Sequence, residues 1–131
     1  MNKVTHFEFP WDDKDRAKSF YQNVFDWKPF DWEQFGYTSW QTGEVNEKMQ
    51  PVEAGFINGG SSKRDPAMPH PMFYVDVADI DLALQKIVEN GGAVVRGKTP
   101  LGENGEMGFL AWFKDSEGNI LGLSQYKKQD A

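Results

Sequence analysis

Apolar and polar residues alternate over VTHFEF at residues 4–9, which places Val4, His6 and Glu8 on one face and Phe7 and Phe9 on the other. That period predicts a half-buried strand. Asp12 and Asp13 then offer N-cap oxygens, and Ala17, Phe20, Tyr21, Val24 and Phe25 recur at the spacing of one helical stripe. Aromatic segments at 27–32, 37–41 and 54–58 are bounded by Gly, Pro or Asn and predict three further strands. Residues 59–71, GGSSKRDPAMPHP, hold three Pro and two Gly without periodicity, so they are expected to form a linker and no central strand.

The pattern then begins again. Met72 to Val77 alternates as a strand, and Asp79 caps a helix whose stripe is Ile80, Ala83, Leu84, Ile87 and Val88. Gly91 and Gly92 close that helix, and strands are expected at 93–96, 108–113 and 120–126. A shift of 66 residues lays Phe7 on Phe73, Phe9 on Val75, Asp15 on Asp81 and Ala17 on Ala83. Two tandem βαβββ modules follow, an α+β architecture with module one at about 3–60 and module two at about 72–127. Each helix must cover one face of its four-stranded sheet, and the uncovered faces are expected to form a curved trough. Alternation turns His6 and Glu8 toward it from module one, and Met72, Tyr74 and Asp76 from module two.

Composition narrows the picture. The 131 residues make one domain, and an aromatic content of 15% supplies both a core and a pocket lining. Cysteine is absent, which excludes disulfides, thiolate metal sites and cysteine nucleophiles. The net charge is -6, and the densest basic pairs are Lys63-Arg64 and Lys127-Lys128, so nucleic acid is not an expected partner. No apolar run reaches membrane-spanning length and MNKVTHFEFPWDD has no signal-peptide core, so a cytoplasmic protein without membrane association is expected. The GENGEMG stretch, 102–108, lacks a Lys and a following helix and is expected to be a loop at the trough mouth.

Three segments resemble the vicinal oxygen chelate superfamily of glyoxalases, bleomycin-resistance proteins and extradiol dioxygenases. They are HFEFPWDDKDRAKSFYQNVFDW, FYVDVADIDLALQKIVENGGAVV and FKDSEGNILGLSQ, the last with Ser116 where the family hairpin carries Pro. The resemblance spans nearly the whole chain and implies the paired-module fold. It also implies a homodimer, and in catalytic members a divalent metal held by side chains from the first and last strands of each module. His6 stands at the first of these positions. Met72 is a poor ligand for hard ions and Gly122 has no side chain, while module one ends near Gly55 and Phe56 unless Glu53 enters by a change of register.

One of four ligands therefore survives, which disfavours the glyoxalase I reaction. The expectation is a glyoxalase- or bleomycin-resistance-like protein that binds a small organic molecule in the trough with no cofactor. The alternative is a metal-dependent lyase, isomerase or dioxygenase with a displaced ligand set of His6, Glu8 and His70. His6 and Glu8 are the candidate catalytic pair, with His6 also the candidate metal ligand. Trp40, Phe56, His70, Met72, Tyr74 and Gly122 are the candidate ligand-binding positions.

Overall fold

A computed structural model describes residues 1–126, and the Lys127-Lys128 pair lies outside them. The chain divides into two compact units, His6–Pro71 and Met1–Thr5 joined with the chain from Met72 onward. Among the described residues no helix is long and apolar enough to cross a membrane.

The first unit contains β1 (Val4–Trp11) from His6 onward, α1 (Lys14–Phe25), β2 (Lys28–Trp32), β3 (Tyr37–Gln41) and β4 (Gly59–Lys63). The strand order is β2-β3-β4-β1, with β1 parallel to β4 and the other pairs antiparallel. Asp13 caps α1 by accepting from the Arg16 N–H at 3.0 Å, and Asp26 ends it in the left-handed region at φ 60°. The helix-covered face carries an aromatic core. Tyr21 meets Phe9 at 4.5 Å between ring centroids and stacks on Trp27 at 5.2 Å.

The last strand of this unit departs from the sequence expectation. Residues 54–58 form no strand, and the supposed linker opens with β4, which sits between β1 and β3. The prolines that argued against a strand begin only at Pro66, beyond the paired residues. Gly59 and Gly60 serve here as floor for two rings. A Cβ on Gly59 would lie 2.5 Å from the Phe7 ring, and one on Gly60 would lie 1.7 Å from the Tyr37 hydroxyl. Glycine in a strand can mark this kind of close approach, and the residue types alone do not distinguish it from a loop.

A polar cluster fastens α1 to the same sheet. Lys18 Nζ donates to Asp31 at 2.6 Å and the Thr38 hydroxyl donates to it at 2.7 Å. These two hydrogen bonds, Lys18 first, hold the Asp31 carboxyl below its ordinary pKa. A depressed folded-state pKa gives stability that is present above the unfolded value and lost as pH falls through the folded one. Asp31→Asn is therefore expected to cost about 1 kcal/mol at pH 7, with the gap to wild type closing below about pH 4. Urea titrations at several pH values check this, and a gap unchanged down to pH 2 contradicts it.

The second unit contains β5 (Met72–Asp76), α2 (Ile80–Glu89), β6 (Ala93–Leu101), β7 (Gly108–Lys114) and β8 (Ile120–Tyr126). Its order is β5-β8-β7-β6, with β5 parallel to β8 and the other pairs antiparallel. The two units thus repeat one βαβββ topology, as the spacing of the chain implied. Asp79 caps α2 through the Leu82 N–H, and Ile80 and Leu84 pack on Ala111, Phe113 and Leu123. The Gly92 N–H returns to the Ile87 carbonyl at 2.8 Å and stops the helix. Asp115 organises the 115–119 hairpin by accepting from the Glu117 and Asn119 N–H groups. Its hydrogen bonds with Asn119, side chain and backbone, lower its pKa. The turn is thus built from Asp115, without the Pro that Ser116 replaces.

β6 runs past the expected end at residue 96 to Leu101, and the register explains why the pattern hid it. Val94 and Arg96 face consecutive residues Phe113 and Trp112, and Arg96 and Thr99 span only Trp112 to Leu110. Each irregularity inserts one extra residue and breaks the period of two.

Candidate functional site

In the first unit the open face is set by alternation from His6 and Glu8 on β1. In β4, Gly60 pairs with Glu8, and in β3, Ser39 pairs with Gly60. Tyr37, two residues before Ser39, lays its ring over Gly60 and brings its hydroxyl within 2.9 Å of His6 Nε2. The same nitrogen is 3.8 Å from Glu8 Oε1, and both side chains are only about one-fifth exposed, at 23% and 20%. Bending of the side chains thus closes the strand spacing of about 7 Å between same-face neighbours. An imidazole nitrogen that faces a phenol and a carboxylate can hold or pass a proton: without a hydrogen, Nε2 accepts from the phenol, and with one, it donates to either group.

Tyr37 is the functional candidate that the sequence reading missed. Its signal was the Gly59-Gly60 pair, because a glycine on an open face leaves room for a ring from the next strand.

The second unit repeats the device on the sheet face away from α2, where Tyr74 is itself buried at 1% exposure. Gly122 pairs with Tyr74, and a Cβ there would lie 2.2 Å from the Tyr74 ring. Trp112 Nε1–H donates to the Tyr74 hydroxyl at 3.0 Å. Beside it, the Ser124 hydroxyl donates to Asp76 at 3.2 Å.

The remaining candidates fall in different places. Trp40 lies on the helix-covered face, 1% exposed, against Tyr21 and Trp27, with its Nε1–H on Ser61 at 2.9 Å. It is a core residue and no pocket lining, because Tyr37 and Ser39 are the β3 positions in phase with His6. Phe56 belongs to a loop, with its ring packed against Gly43. His70 is exposed at a bend between Pro69 and Pro71. Met72 is buried at the start of β5.

Among the described residues, no three His, Cys, Asp or Glu side chains gather closely enough to hold a metal ion, so His6, Glu8 and His70 form no ligand set. The last-strand positions opposite Glu8 and Tyr74 are Gly60 and Gly122, each beneath a tyrosine ring. This corrects the placement of the first module's last-strand position near Phe56. His6 is the one good donor at the four positions that the resemblance implies for a metal. With one nitrogen and a thioether, these residues do not fit that metal, which needs at least three protein ligands.

Comparison with known proteins agrees with this architecture. The family model of the Glyoxalase/Bleomycin resistance protein/Dioxygenase superfamily matches residues 3–123. The chain belongs to this superfamily. No curated protein sequence matches it. Among solved structures, a hypothetical protein from Bacillus halodurans C-125 is 16% identical, with a TM-score of 0.63 over 99% of this chain and 98% of that one. A variant of Streptomyces coelicolor methylmalonyl-CoA epimerase in complex with 2-nitronate-propionyl-CoA is 15% identical, with a TM-score of 0.64 over 100% and 99%. A methylmalonyl-CoA epimerase in complex with methylmalonyl-CoA and ammonium is also 15% identical, at 0.65 over 100% and 99%. At these identities the likeness establishes the fold, and function has to be argued from the site.

Proposed function

We infer that this superfamily member binds a small organic molecule on the open sheet faces and does so without the metal that catalytic relatives hold. The observation that carries this reading is the exchange made in both units: a glycine under a tyrosine ring stands where the last strand would present a ligand. The polar groups gathered there, His6 with Tyr37 and Glu8, suit hydrogen bonding to a ligand oxygen. If turnover occurs, His6 is the acid–base group and Glu8 the carboxylate beside it.

Metal analysis tests the reading. Untagged protein purified without chelator is expected to carry far less than one equivalent of Ni, Zn, Mn or Fe per chain, and divalent ions are expected to leave its melting temperature unchanged. About one equivalent, lost on His6→Ala, would establish the metal-dependent lyase, isomerase or dioxygenase reading instead.

A homodimer belongs to the same proposal. It is supported by Phe20, Val24 and Phe25 on α1 and Phe30 on β2, each more than half exposed. Sedimentation at the monomer mass across micromolar concentrations would overturn it.

A further inference from the structure

We propose that the open face of the second unit carries a subsite for the carboxylate of a small apolar acid, in which Arg96 binds the anion and Trp112 holds Arg96 in place. It deepens the small-molecule reading above, but it uses residues that the metal question does not touch.

The two extra residues in β6 create the site. They turn Arg96 and Thr99, three apart in sequence, toward Trp112 and Leu110, two apart on β7. With Leu101 these side chains line a shallow hollow. A bulge re-aims side chains in this way, and a regular strand would send one of the two polar residues to the opposite face.

Arg96 is prepared for an anion. Its guanidinium lies over the Trp112 ring, 5.1 Å from the centroid. A guanidinium drawn over a ring by cation–π attraction keeps N–H groups that can fork onto a carboxylate. Among the described residues no carboxylate lies within ion-pair reach of Arg96, although Lys18, Arg64 and Lys98 are each paired with an aspartate in a chain of net charge -6. The platform is itself fixed, because Trp112 donates to Tyr74, whose ring is seated on Gly122. A group held before the ligand arrives loses less conformational freedom on binding.

The walls select the rest of the ligand. Leu101 and Leu110 offer apolar contact, and a single guanidinium matches a monoanion better than a phosphate, whose three oxygens and second charge call for more donors.

The test is a titration of the full chain with isobutyrate, followed through the Trp112 indole N–H in a nitrogen-15 spectrum and assigned by its loss in Trp112→Phe. The Trp112 signal is expected to shift saturably with isobutyrate, and not with the neutral isostere isobutyramide. Arg96→Gln should weaken the apparent affinity about tenfold, the scale of a charge-assisted hydrogen bond. Arg96→Lys keeps the charge but loses the fork, and should fall between. Lys98→Ala should bind as wild type, because Lys98 is engaged with Asp81 and the Phe109 ring.

The same spectra report whether each variant is folded. An equal response to isobutyramide would overturn the proposal, as would unchanged binding in folded Arg96→Gln or Arg96→Lys, binding of inorganic phosphate in place of isobutyrate, or no saturable shift at Trp112. A stoichiometric metal would overturn the functional reading above and leave this titration as decisive as before.

Discussion

Trp40→Ala is expected to lower the unfolding free energy by about 3–5 kcal/mol, the range for truncating a large buried aromatic. Trp40 is the hub of the first unit's core: its ring meets Phe9, Tyr21 and Trp27 at 6.1, 5.6 and 6.1 Å. Removing it opens a cavity bounded by rings that cannot collapse together without losing their own contacts. It also strands Ser61, which is 1% exposed and accepts the indole N–H. Trp40→Phe separates the two effects. It keeps most of the volume and leaves Ser61 without that donor, at about 1–3 kcal/mol. Urea denaturation of both variants gives the comparison. A Trp40→Ala loss under about 1 kcal/mol would show that the aromatic cluster repacks, against the expectation for a close-packed interior.

The second large effect is expected at Gly60. Its Cβ would fall 1.7 Å from the Tyr37 hydroxyl oxygen and 2.1 Å from the adjoining ring carbon. Gly60→Ala must therefore displace the ring, with a loss of about 1–3 kcal/mol from overpacking. Because the hydroxyl touches His6, the same change should move the His6 imidazole signals in an NMR spectrum. The double variant Gly60→Ala, Tyr37→Ala supplies the decisive comparison. If the ring is what fills the space, its removal relieves the clash, and the pair costs less than the sum of the single losses by about 1 kcal/mol or more. Gly97 is the control, with nothing within 4 Å of its Cβ position, so Gly97→Ala should stay within about 0.5 kcal/mol of wild type. Additive losses at Gly60 and Tyr37 would contradict the account.

Much of the fold was legible because period and cap coincide. Asp13 and Asp79 cap the helices that their spacing predicted, and Tyr37–Gln41 forms the strand expected there. The failures have physical causes. At Gly59–Lys63 two rings from neighbouring strands supply the bulk that a strand would otherwise show in its own letters. In β6 two inserted residues erase the alternation.

The site was legible only in part for a related reason. His6 and Glu8 stand close together as a same-face pair should once their side chains bend, whereas Tyr37 reaches them from a strand 31 residues away in sequence from His6. Trp40 is a core residue whose size alone fits either face of a sheet, and only its pairing with Gly59, its hydrogen bond to Ser61 and its contact with Tyr21 decide between them.

The paired glycines and tyrosines also have an evolutionary consequence. A carboxylate introduced at position 122 alone would strike the Tyr74 ring, and a small residue at position 74 alone would leave Trp112 without its acceptor. Each first step is unfavourable although the two together could fit, which is sign epistasis. A side chain introduced at position 60 would likewise strike Tyr37. A single substitution toward a metal ligand is therefore opposed at both places by the ring already seated there.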